Sequence, residues 1–160
     1  EGSVDAARAD ALVERLTGIA AGQPVPVQVI ITPTGPDLPG YGPLSPAHAD
    51  QLCATSTPIR LSRPAPALGY PPGVQLKRYV NARDRHCRFP GCRRPALHCD
   101  LDHLIPCPTA RTTEHNLYCL CRYHPRLKTH TNWKVQNGPG RTLRWTSPRG
   151  HHYTTGPDDP

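Results

Sequence analysis

The sequence predicts an α+β fold: a small zinc-braced domain over residues 74–155, behind a helix–strand–helix arm with a Pro-rich connector (1–73) and ahead of a disordered tail (156–160). Three observations lead there. Segments with helical spacing alternate with segments of strand spacing. Cysteines and histidines crowd between Cys87 and His130 in closely spaced pairs. Only 36% of residues are hydrophobic, with one Phe, no Met and 21 Pro, too little apolar material for a large core. A bound metal or a partner surface is then expected to supply part of the stability.

In chain order, Ser3 or Asp5 is placed to cap a helix running to about Thr17, with Ala7, Leu12, Val13 and Leu16 near one face and Gly18 as its stop. Residues 22–32 read as a strand, Val27, Val29 and Ile31 alternating before a Pro- and Gly-containing turn. Ser45 and Pro46 are the N-cap and first residue of a second helix reaching about Cys53. Residues 59–62 read as a short strand. The connector 63–73 is either a domain boundary or an ordered wrap over the next helix. From Val74 to Asp84, Leu76, Tyr79 and Val80 mark one helix face and Lys77, Arg78 and Arg83 the other. Leu97, Cys99 and Leu101 alternate as a strand that ends at Asp102 and His103. Residues 132–147 read as a β-hairpin turning at Asn137–Gly140, with Trp133 and Trp145 as packing residues, and 151–160 as a disordered end in which His151 and His152 are tail residues rather than ligands.

The charge is lopsided. Residues 77–149 hold fifteen of the nineteen Lys and Arg against four acids (Asp84, Asp100, Asp102, Glu114), a net of +11, whereas residues 1–76 come to −2. A basic block coinciding with the Cys/His block points to a polyanion, nucleic acid first. The odd cysteine count and the ligand-like spacings argue against a disulfide framework and for a reducing, cytoplasmic setting. No apolar run approaches the ~20 residues of a transmembrane helix, so no membrane partner is expected.

Cys87-x4-Cys92 and Cys121-x2-His124 have the form of two half-sites for one tetrahedral, structural Zn²⁺. Pro90-Gly91 allows the turn that brings the first two sulfurs together, and the second pair falls at a helix start. Cys119-x-Cys121 is the competing pinch; Cys99, Cys107 and Cys119 otherwise read as small buried residues. Asp102-His103 pairs a carboxylate with an imidazole, the combination used in metal-assisted phosphodiester cleavage: Asp102 to hold a divalent cation, His103 to deprotonate water.

CRFPGC, DLDHLIP, TTEHNLYCLC, RYHPRLKTH and WTSPRG, in this order, resemble the HNH (His-Asn-His) endonuclease domain of a large actinobacterial family, over about residues 75–155. Upstream, GQPVPVQVIIT resembles the end of the helical region preceding that domain. The resemblance implies a ββα-metal fold with a separate zinc knuckle, His103 as general base, Asp102 as ligand of a catalytic Mg²⁺ or Mn²⁺, Asn116 pinning the loop between the strands and orienting His103, and Arg122, Arg126 and Lys128 facing the phosphates of DNA. Two positions depart from the family pattern. Pro125 stands where a second metal-binding histidine belongs, with His115 a better substitute than His130; cleavage is then weakened, or lost to leave a zinc-stabilised DNA-binding module. Thr109-Ala110 stands where Gly-Gly is usual, which strains the loop if positive φ is required there. A plain protein-interaction zinc domain is the third reading.

Overall fold

A computed structural model describes residues 3–20, 23, 28–32, 35–67 and 69–157. The first helix, α1 (Val4–Thr17), is bounded as its caps require: Ser3 Oγ accepts from the Ala6 N–H at 3.1 Å, and Gly18, at φ +71°, donates its N–H to the Glu14 carbonyl. The face carrying Leu12, Val13 and Leu16 is exposed; α1 buries none of its side chains among the described residues.

Next comes a small sheet of β1 (Ile30–Thr32), β2 (Gly35–Leu38), β3 (Gly42–Pro43) and β4 (Ile59–Arg60) in the order β3-β2-β1-β4, with β1 antiparallel to β2 and parallel to β4. The strand expected over 22–32 is thus realised at its end, and Val27 lies outside the described residues. Part of the expected turn after it is instead strand β2. Helix α2 (Pro46–Thr55) connects β3 to β4 and starts as expected, with Ser45 capping and Pro46 in the first turn. An ion pair of 2.7 Å between Asp37 on β2 and Arg85 ties this sheet to the element that follows.

Helix α3 (Val74–Asp84) leads through Cys87 and a 3₁₀ turn at Ala96–His98 into an antiparallel hairpin, β5 (Cys99–His103) with β6 (Leu117–Cys121), in register from Cys99 opposite Cys121 to His103 opposite Leu117. A short helix, α4 (His124–His130), comes directly after it. Leu97 belongs to the 3₁₀ turn and is exposed, so the strand begins two residues later than the alternation predicts. All five residues of β6 are buried. Leu117 and Cys119 pack with Leu76 and Val80 of α3, while Tyr118 and Leu120 join Leu143 and Trp145 on the other side. The hairpin at the chain's end is a three-stranded sheet, β7 (Lys134–Asn137), β8 (Leu143–Thr146) and β9 (His152–Thr155). Residues 152–155, expected to be disordered, are a strand. Trp145 is fully buried and Trp133 packs against the same cluster, as packing residues should.

A charged network joins these pieces. Asp84 is 1% exposed and accepts from Arg83 Nε at 2.7 Å, Arg88 Nη1 at 2.7 Å and the Cys119 N–H at 2.8 Å. Arg83 also donates to the Glu114 and Leu117 carbonyls, and Arg88 to those of Arg141 and Thr155. The spacing of α3 puts Arg83 on its polar face, yet it is buried, its donors taken up by the Glu114 carbonyl in the loop and the Leu117 carbonyl at the start of β6. One carboxylate holds two guanidiniums, so Asp84→Asn leaves both buried charges without their counter-ion. It is expected to destabilise the fold by about 3–5 kcal/mol, read as a lowered midpoint in denaturant.

Candidate functional site

The turn through Pro90 and Gly91, with Gly91 at φ +73°, folds Cys92 back beside Cys87. The end of β6 supplies Cys121, and the first residue of α4 supplies His124. The four ligand atoms all lie within 4.8 Å of one another, and His124 Nδ1 is 3.3 Å from Cys87 Sγ and 3.2 Å from Cys121 Sγ. A tetrahedron with bonds of about 2.0–2.3 Å has edges of about 3.5–3.8 Å, so this Cys3His cluster could hold an ion such as zinc with little rearrangement. Cys119 does not compete: its thiol points to Val80 and Asn81 on α3.

The chemistry of the set also suits a metal. The neighbouring Cys99 thiol and burial push the Cys87 thiol far above its ordinary range, and burial first pushes Cys92 up to about 11. Burial lowers His124, which keeps its ring neutral and free to donate electrons. An ion would therefore bind by displacing thiol protons. The Phe89 ring lies flat on His124, centroids 4.0 Å apart, and touches Trp133 and Trp145 edge-on, so the ligand cluster is continuous with the aromatic core.

The hairpin β5–β6 carries the second constellation. Asp102 and His103 close β5, and the long loop back to β6 is pinned by Asn116, whose Oδ1 accepts from the Ile105 N–H at 2.8 Å. Its Nδ2 donates to the Ile105 carbonyl at 2.8 Å and the Arg111 carbonyl at 3.1 Å. Thr109 and Ala110 do not take positive φ, so the Gly-Gly departure brings no left-handed strain. Lys128, one turn into α4, reaches over to Asp102 Oδ2 at 3.0 Å and to the His103 carbonyl. Arg122 and Arg126 are exposed and form no ion pair among the described residues. His115, considered as a replacement for the residue missing at 125, is instead engaged by Arg63 and lies 3.3 Å from Glu114.

His103 is 6% exposed, and its surroundings were not legible in the sequence. Its Nε2 lies 2.9 Å from Thr112 Oγ1, and the Tyr70 ring stacks on it at 4.9 Å. Thr112 and Tyr70 carry no motif that would single them out. The connector is thus an ordered wrap: Arg63 donates to Glu114, the Ala67 N–H donates to the Thr112 carbonyl, and Tyr70 covers the imidazole. Burial alone would raise the Glu114 carboxyl, but the Arg63 hydrogen bond holds it below its usual range.

Burial lowers the basicity of His103; Asp102 opposes this and Lys128 adds to it. The fold therefore favours the neutral ring, while the unfolded chain takes up a proton near pH 6.5. The stability linked to this residue is full above that pH and is lost as pH falls through the lower, folded value. Between about pH 7.5 and 5.5 the thermal midpoint of the wild type should fall more steeply than that of His103→Gln, and equal slopes would refute a buried neutral ring.

No family model matches the chain, and no solved structure matches it. It is 49% identical over 90 residues to an uncharacterized protein of Mycobacterium tuberculosis, Rv3776, covering 56% of this chain and 17% of that one. It is 48% identical over 89 residues to another from the same organism, Rv2100, covering 55% of this chain and 16% of the relative. The chain thus spans less than a fifth of the curated relatives it matches. No helix among the described residues is long and apolar enough to cross a membrane.

Proposed function

We propose that the chain carries an HNH-type endonuclease domain of the ββα-metal kind that hydrolyses phosphodiesters of DNA, with cleavage weakened by Pro125. The observation that carries this reading is the placement of a buried imidazole beside a carboxylate at the strand end that faces the basic helix α4. Arg122 and Arg126 meet the phosphate backbone, and Asn116 keeps the loop closed around the reacting group. His103 takes the proton from a water as its oxygen forms a bond to phosphorus and the opposite P–O bond breaks. Asp102 would hold a Mg²⁺ or Mn²⁺ ion, which supplies charge neutralisation at the phosphate and leaving oxygen. One carboxylate plus phosphate oxygens is the smallest set such an ion accepts, and Asp102 must exchange Lys128 for it.

Two observations favour a second reading, a zinc-braced DNA-binding module without cleavage. Pro125 contributes no ligand, and the Lys128 ammonium already neutralises Asp102. Supercoiled plasmid with added Mn²⁺ separates the two: nicking lost in His103→Ala supports the nuclease, whereas retarded but uncut DNA supports the binding module. Absence of any gel shift at low salt refutes both. Arg122→Ala and Arg126→Ala should each weaken binding across sequences and reduce the slope of log K against log salt by about 1.

A further inference from the structure

The connector meets the acid–imidazole site through one residue, Thr112, whose hydroxyl touches two groups at once. Its Oγ1 lies 3.2 Å from the main-chain carbonyl of Tyr70 and 2.9 Å from His103 Nε2. A hydroxyl has one proton to give. The Tyr70 carbonyl can only accept, so both contacts are hydrogen bonds only when that proton goes to it. The hydroxyl oxygen then turns a lone pair towards His103, and the matching partner is an Nε2–H. We propose that Thr112 is a positioning residue that holds His103 as its Nε2–H tautomer, with the Tyr70 carbonyl as the final acceptor of the chain.

The other contacts make this relay hard to reverse. Thr112 is 1% exposed, so bulk water has little access to either side of the hydroxyl. The carbonyl is held in place because the connector is fastened upstream at Ala67 and Arg63, and the Tyr70 ring lies on the imidazole, which restrains its rotation. Nδ1 of His103 makes no hydrogen bond among the described residues. It is the nitrogen left with the lone pair, and so the one that takes a proton from water. This deepens the nuclease reading and rests on it for the role of His103. It also makes Arg63, Ala67 and Tyr70 part of the site.

The test reads the tautomer directly, without nucleic acid. Nitrogen-15 NMR of the full chain at about pH 8, with His103 assigned by its absence in His103→Gln, should show a pyrrole-like Nε2 and a pyridine-like Nδ1. In Thr112→Val both signals should move towards the average of two tautomers, and Thr112→Ser should restore the wild-type positions. Zinc content and the amide spectrum report folding; if valine is not accommodated, Thr112→Ala serves in its place. A wild-type ring protonated at Nδ1, or a Thr112→Val ring that keeps a pure Nε2–H signature, overturns the proposal. The cleavage assay is separate: an Nε2–H ring with no nicking sinks the nuclease reading alone, and nicking by an Nδ1–H ring sinks this inference alone.

Discussion

Stripping the metal from the purified chain is expected to unfold the region around Cys87–His124, and Cys121→Ala is expected to do the same without a chelator. Elemental analysis should find one zinc per wild-type chain and none in the variant. The magnitude comes from comparing two free energies. Structural zinc contributes on the order of 10 kcal/mol in small domains at neutral pH. A whole domain is stable by about 5–15 kcal/mol. The core is thin, with Trp145, Tyr118, Leu117 and Leu120 the largest fully buried apolar side chains among the described residues, so loss of a bound ion would remove most of the margin. The readout is near-ultraviolet circular dichroism. Phe89 bridges His124 to Trp133 and Trp145, so freeing His124 disturbs both indoles. A chelated protein that keeps its tryptophan signal and melting temperature would show that the four ligands hold no structural ion.

His103→Ala is expected to reduce Mn²⁺-dependent nicking by about 10²–10⁴-fold while leaving gel-shift affinity within about twofold, because a general base acts on the reacting water and not on the phosphate backbone. Pro125→His moves the other way. Position 125 lies three residues before Lys128, hence on the same helix face, and Lys128 already reaches Asp102. A histidine there faces the carboxylate and adds a second ligand. It should lower the Mn²⁺ concentration for half-maximal nicking by about tenfold or more, the effect of a ligand contributing about 1.4 kcal/mol. Proline is tolerated in a first helical turn but not required there, so the fold should survive the exchange. If the wild type never nicks and Pro125→His does, the chain is the binding module of the second reading. If neither cuts at any Mn²⁺ concentration, the nuclease reading fails.

How much could be read without the fold depends on the reach of each contact. Helix α3 begins and ends where its spacing placed it, since helical period is carried by residues within a turn of one another and the Arg85 N–H closes its end on the Asn81 carbonyl. The ligand pairs were legible since Cys87 with Cys92, and Cys121 with His124, are each brought together by a local turn. The alternation at 97–101 located a strand but misjudged its start, as the Ala96–His98 turn has nearly the same apolar pattern. Residues 152–155 looked like tail because a strand with one aromatic residue has no local signature; pairing with β8 makes it.

What the chain determines by itself is therefore short-range: element periods, caps, the two half-sites and the concentration of charge. Tertiary structure decided which charges are not surface at all. Arg83 and Arg88 count towards the basic block, yet they are buried on Asp84, and Lys128 turns to Asp102. It also decided that the connector covers His103, through contacts spanning 42 residues from Tyr70 to Thr112 and 51 from Arg63 to Glu114. The physical reason is that a buried polar group must find a partner wherever packing brings one, and sequence spacing carries no record of that search.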